Sequence, residues 1–136
     1  MARCWLLKTE PTSYSYAQLE KDGHTTWDGV RNPVALKNLA AMRKGDEAFV
    51  YHTGDEKAVV GVARVVADPV PDRRVADTRM MTVDLEPVRR LKRPVTLKEV
   101  KENGALRDFD LARLPRLSVM PVSAEQRAEI ERMSKS

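Results

Sequence analysis

Apolar and polar positions alternate with a period of two through Trp5-Leu6-Leu7-Lys8-Thr9, which predicts a strand with Trp5 and Leu7 on one face and Leu6 and Lys8 on the other, stopped by Pro11. Ser15 followed by Gln18 fits a capping box for a short helix through Leu19, with Gly23 as its end. Pro33 opens a second helix in which Ala35, Leu39 and Met42 keep helical spacing, with Gly45 as the stop. Residues 48–52 and 59–66 read as a β-hairpin around Thr53-Gly54-Asp55, and residues 80–88 as a further strand behind the proline-rich link 68–73. Thr96 with Glu99, and Ser123 with Gln126, are capping boxes for two later helices, the second carrying Ile130 and Met133 on one face. A short strand at 117–120 lies between them. The sum is an α+β domain over residues 1–136: a curved, mostly antiparallel sheet or β-barrel with short flanking helices.

Composition narrows the classes this pattern can serve. A chain of 136 residues is most economically one domain, burying roughly 68% of its unfolded surface. Hydrophobic residues at 42% and charged residues at 32% describe a soluble globular protein, and no apolar run approaches the ~20 residues of a membrane helix. The apolar stretch near the N-terminus is too short for a signal peptide, and the single cysteine, Cys4, rules out an internal disulfide framework. The expected location is therefore intracellular and cytoplasmic, with Cys4 a small strand residue. A net charge of +4 is a mild basic excess, concentrated late in the chain in Arg73-Arg74, Arg89-Arg90, Lys92-Arg93, Arg107, Arg113 and Arg116. Such runs are commonly solvated surface, but together they allow a basic face, with Arg89, Arg90 and Arg116 as candidate phosphate contacts.

Within this frame the stretch Trp27-Asp28-Gly29-Val30-Arg31-Asn32 is richest in chemistry. Trp offers a flat face for stacking, Asn a donor and an acceptor for a base edge, and Arg a forked charge suited to phosphate. Each has a plainer use as well: Trp as a core anchor, and Asn32, just before Pro33, as a helix cap. The helix that starts here turns backbone N–H groups toward the loop, a favourable place for anions and carbonyl oxygens.

The strings Trp5-Leu6-Leu7-Lys8-Thr9-Glu10-Pro11, Trp27-Asp28-Gly29-Val30-Arg31-Asn32, Phe49-Val50-Tyr51-His52-Thr53, Gly61-Val62-Ala63 and Arg116-Leu117-Ser118-Val119 resemble, in order, the landmarks of the EVE domain family. That family is similar to the YTH and SRA readers of modified bases and belongs to the PUA-like superfamily. The resemblance implies a PUA-like β-barrel with a base-reading pocket. It places Trp27, Arg31, Asn32, Tyr51 and His52 at or near that pocket, Lys8 and Glu10 on its rim, and Ser118, Gly29 and Thr9 behind them. Tyr51 and His52 point to opposite sides of a regular strand, so only one can reach the same pocket unless a bulge intervenes. Three positions depart from the family pattern: Thr9 stands where Ser is common, Pro33 where a larger residue follows the asparagine, and no tryptophan precedes Met81-Thr82-Val83-Asp84.

The expected function is a non-enzymatic, monomeric module that recognises a modified base, methylated or hydroxymethylated cytosine, in DNA or RNA. It needs no cofactor and no metal: there is no G-x-x-x-x-G-K loop, no paired-histidine spacing and no H-x-E with C-x-x-C pattern. Two other readings use the same residues: a sensor of a small molecule or nucleotide derivative, and a nucleotide-acting enzyme with Glu10, Asp28 or His52 as acid or base.

Overall fold

The computed structural model describes residues 2–77 and 79–135. Its elements follow in the order β1 (Cys4–Thr9), α1 (Tyr16–Asp22), β2 (Thr25–Trp27), α2 (Pro33–Ala41), β3 (Glu47–His52), β4 (Ala58–Val65), β5 (Val70–Pro71) and β6 (Met81–Thr96). After these come α3 (Leu97–Glu102), a 3₁₀ turn at Gly104–Leu106, α4 (Asp110–Arg113), β7 (Val119–Val122) and α5 (Ala124–Ser134). The strands form one curled mixed sheet, a half-barrel, in the order β2-β6-β4-β3-β1-β7, with β5 added to β6. Only β1 and β3 run parallel. β1 is thus held on one side by β3 and on the other, antiparallel, by β7.

The helix starts follow the local signals. Thr96 with Glu99 and Ser123 with Gln126 make complete reciprocal caps. The Ser15 hydroxyl accepts from the Gln18 backbone, but the Gln18 side chain turns to Asp22 instead of closing the box. Gly23 ends α1 in the left-handed conformation, as its position predicts. The β3–β4 hairpin also forms, with a register shift at Val50/Tyr51.

Two features exceed the sequence expectation. The strand expected at 80–88 runs to Thr96, straight through Arg89-Arg90 and Lys92-Arg93. Its pairing with β4 breaks register twice, and these irregularities curl the sheet. Tyr16 pins the bend. Its ring lies where a Cβ on Gly61 would stand 2.5 Å from its carbons, and its hydroxyl sits 2.7 Å from the Val62 carbonyl and 2.8 Å from the Arg89 carbonyl. Only glycine at position 61 lets the ring approach so closely. The second feature is the segment after α3, to which the pattern assigns no element and which buries Leu106, Phe109 and Leu111.

The core joins these to Trp5, Leu6, Leu7, Phe49 and Leu85, all at most 1% exposed. Trp5 is a core anchor, and its Nε1 donates to the buried Asp46 carboxylate at 3.0 Å. Cys4 is buried and unpaired; burial pushes its thiol up to about 11, so it stays a protonated packing residue. No helix among the described residues is long and apolar enough to cross a membrane.

Candidate functional site

The end of β1, the end of β2 and the segment before β7 converge on a cleft of about 460 Å³. Trp27 closes β2, paired with Val83 on β6, and the chain then turns at Gly29, whose φ of +74° is a left-handed conformation that glycine adopts without strain. This turn carries Arg31 to the mouth. Asp28 in the turn accepts from the Arg74 guanidinium at 2.5 Å, and Arg74 also grips the buried carboxylate of Asp72 at 3.0 Å. That grip holds the Asp72 carboxyl below the usual range and clamps the loop behind Trp27.

Trp27 is braced by Tyr14, ring centroids 6.3 Å apart at 90°. This edge-to-face contact fixes the orientation of a half-buried indole. Tyr14 is fastened in turn: its hydroxyl donates to Asp22 at 2.9 Å, and its carbonyl accepts from the Thr9 hydroxyl at 2.8 Å. Burial raises the Tyr14 phenol above its ordinary value, so it remains a neutral donor. On the opposite side, Lys8 donates its ammonium to the Pro115 carbonyl at 2.9 Å and lies 5.6 Å over the Tyr51 ring. Burial lowers its pKa. The Lys8 backbone N–H donates to the Ser118 carbonyl at 2.9 Å, which brings Ser118 into the wall.

Trp27, Gly29, Arg31, Lys8, Thr9, Glu10 and Ser118 therefore line one cleft, and three other expected residues do not. Asn32 caps α2: its side-chain oxygen accepts from the Val34 and Ala35 backbone at 2.9 and 3.0 Å, so that oxygen is committed to the helix and does not read a base edge. Tyr51 is buried, sharing a sheet face with Lys8 beneath the Lys8 side chain. His52 is buried against α1. Its Nε2 accepts from the Tyr16 backbone at 3.0 Å and its Nδ1 bonds Glu56 at 2.7 Å, so both ring nitrogens are engaged inside the molecule. The register shift at Val50/Tyr51 does not bring the pair together. Glu10 is on the rim, as expected, but its carboxylate ties down Thr12 and Thr53.

The basic residues divide as well. Arg89 is paired with Glu131 and Arg90 with Glu20, so both expected phosphate contacts are engaged within the molecule. Arg116 and Arg31 are exposed and form no ion pair among the described residues. The charge of Arg31 contributes least to holding Asp77 at about 2, a shift set mainly by the hydrogen bonds of Arg79. Tyr14, Thr25 and Thr26 complete the walls unannounced by the sequence pattern. The signal for Tyr14 is the alternation Ser13-Tyr14-Ser15-Tyr16, in which one tyrosine enters the core and the other faces the cleft. Among the described residues, no group of three or more His, Cys, Asp or Glu side chains could hold a metal ion.

A curled mixed sheet with short flanking helices and an aromatic cleft beside a helix start defines a PUA-like domain. The EVE domain model matches residues 3–133, and the chain belongs to that family. Thymocyte nuclear protein 1 of Gallus gallus is 31% identical over 156 residues, spanning 90% of this chain. The chain covers just 64% of that relative's length. A Rhodopseudomonas palustris protein solved by NMR superposes with a TM-score of 0.93 at 38% identity, covering 98% of this chain and 94% of the other. The human THYN1 protein, solved in complex with DNA containing 5-methylcytosine, superposes with a TM-score of 0.91 at 27% identity over 99% of both chains.

Proposed function

We propose that this domain binds DNA carrying a modified cytosine and receives the extruded base in the Trp27 cleft. The observation that carries this reading is the cleft itself. Its volume falls within the roughly 300–1,000 Å³ of small-ligand sites, its aromatic wall is braced in one orientation, and an unpaired arginine stands at its mouth. The superposition on a relative solved with 5-methylcytosine-containing DNA supports the choice of ligand.

In this reading Trp27 stacks on the base, with Tyr14 holding the indole in place. Lys8, Thr26 and Ser118 supply the polar contacts, and Arg31 takes a flanking phosphate. Asn32 acts indirectly, by fixing the start of α2 and with it the position of Arg31. The domain binds without chemistry: Glu10, Asp28 and His52 are each held by internal partners, and none is poised as a free acid or base at the cleft.

The test is a fluorescence-anisotropy titration of matched oligonucleotides carrying cytosine, 5-methylcytosine, 5-hydroxymethylcytosine or methylated adenine, at two salt concentrations. One modified cytosine is expected to bind more tightly than the plain base at both. Equal affinity for all four would overturn the reading and leave a basic surface alone.

A further inference from the structure

Beside the cleft lies a second hollow, of about 320 Å³, lined by Asn32, Val34, Leu114, Pro115, Arg116 and Leu117. Its walls continue those of the cleft. Arg31 precedes Asn32, Ser118 follows Leu117, and the Pro115 carbonyl is the acceptor that fastens Lys8. One ridge therefore separates the two hollows. Val34 is 54% exposed and Leu114 42%, and only two other large apolar side chains among the described residues are comparably open, Val70 and Val75. Leaving two such side chains side by side in water is unfavourable, and neither is needed for the core. At the edge stands Arg116, exposed and with no ion pair among the described residues, whereas most arginines of this chain are engaged by carboxylates.

We propose that this shelf seats the nucleotide next to the extruded base, its sugar and base edge on Val34 and Leu114 and its phosphate on Arg116. This inference rests on the cleft being a base site. An apolar floor with a free arginine at its rim matches a nucleoside monophosphate unit, which is apolar on the sugar and base faces and anionic at one edge. Continuity with the cleft sets the occupant: the two linings meet at Arg31-Asn32 and Leu117-Ser118, so a strand that leaves the cleft on this side lays its next nucleotide on the shelf. The shelf reads no base edge, so it adds affinity without adding preference for the modification.

The experiment compares wild type, the double variant V34S/L114S, R116Q and W27A. Each is titrated with a trinucleotide bearing central 5-methylcytosine, its unmodified counterpart, and 5-methyldeoxycytidine monophosphate. Both apolar positions are exposed, so the variants keep the fold, checked by circular dichroism. The expected result is that V34S/L114S weakens both trinucleotides about tenfold, leaves the modified-to-plain ratio intact and leaves the mononucleotide unchanged, a loss in line with the apolar area uncovered. R116Q should lower the salt slope by ~0.7 on a single strand. Trinucleotide affinities equal to wild type in both shelf variants, with discrimination intact, would overturn the shelf and leave the cleft standing. A wild type without discrimination, whose trinucleotide binding still falls in V34S/L114S, would overturn the cleft as a modified-base site and keep the shelf as a nucleotide seat. No binding of any trinucleotide by wild type would overturn both.

Discussion

Two regions of this domain carry arginines, and they use them in opposite ways. Across β6 and α5, Arg89, Arg90, Arg93, Arg127 and Arg132 each meet a glutamate; the Arg89 and Arg127 pairs fasten the last helix to the curled sheet, the Arg90 pair fastens α1 and the Arg93 pair α3, and Arg132 meets a glutamate of its own helix. Around the cleft, Arg31 and Arg116 form no ion pair among the described residues and stand one on each side of the ridge. The region densest in positive residues is thus largely neutralised from within, and the sparser one presents its charge to solvent. Net charge and runs of arginine count residues; what a polyanion meets is the charge left after internal pairing.

This contrast can be broken most directly at the aromatic wall. Trp27→Ala should remove roughly 1–3 kcal/mol of stacking and abolish the preference for the modified base, while leaving residual salt-dependent affinity. Anisotropy on matched oligonucleotides measures both, and surviving discrimination would detach the cleft from base reading. The paired region is probed at Tyr16, whose hydroxyl serves the two facing carbonyls of β4 and β6. Tyr16→Phe should cost about 1–3 kcal/mol of unfolding free energy in a urea titration, because the one hydroxyl proton shared by the Val62 and Arg89 carbonyls is lost. It should leave the modified-to-plain ratio unchanged.

A smaller effect separates the two classes of arginine. Arg31→Gln should lower the slope of log affinity against log salt by ~0.9 on duplex DNA, whereas Arg89→Gln should leave that slope unaltered. A reduced slope for Arg89→Gln would show that the Glu131 pair opens on binding. The smallest effect is on acid stability. Glu129 is held at about 2, chiefly by hydrogen bonds from Arg132, and its folded value therefore lies below the ordinary 4.5. A depressed carboxylate contributes stability that is fully present above about pH 4.5 and lost as pH falls toward 2. Glu129→Gln should flatten the decline of melting temperature across that window, with no change near neutrality from titration of this group.

How much of this was legible in the sequence depends on how local the determining interaction is. Thr96 with Glu99, Ser123 with Gln126, and Asn32 before Pro33 act within three or four residues, and those helix starts lie where the pattern places them. The full length of β6 was not legible. The pattern ends this strand at Val88, before Arg89-Arg90, Lys92-Arg93 and Pro94, and only pairing with β4 across two irregularities carries the strand through them. The cleft shows the same division. Trp27, Gly29 and Arg31 announce themselves within one short loop, but the contact of Tyr14 with Trp27 depends on how the turn after β1, tied to Thr9 and Asp22, brings residue 14 to the end of β2. His52 misleads for the complementary reason: a histidine beside a tyrosine looks like a ligand pair, and although Glu56 lies only four residues on, nothing local reveals that the Tyr16 backbone takes the other nitrogen.

The single parallel pairing of the sheet has a consequence in time. β1 is flanked by β3 and by β7, and its last contact, the Lys8 N–H to the Ser118 carbonyl, joins positions more than a hundred residues apart. During synthesis, the strand that forms one wall of the cleft emerges early and waits for a neighbour made near the end. Closing so long a loop is entropically costly and makes the topology slow to form. The complete cleft therefore arrives in one step, with the docking of β7, and a nascent chain halted before residue 118 carries the tryptophan, the tyrosine and the lysine without the wall that Ser118 supplies.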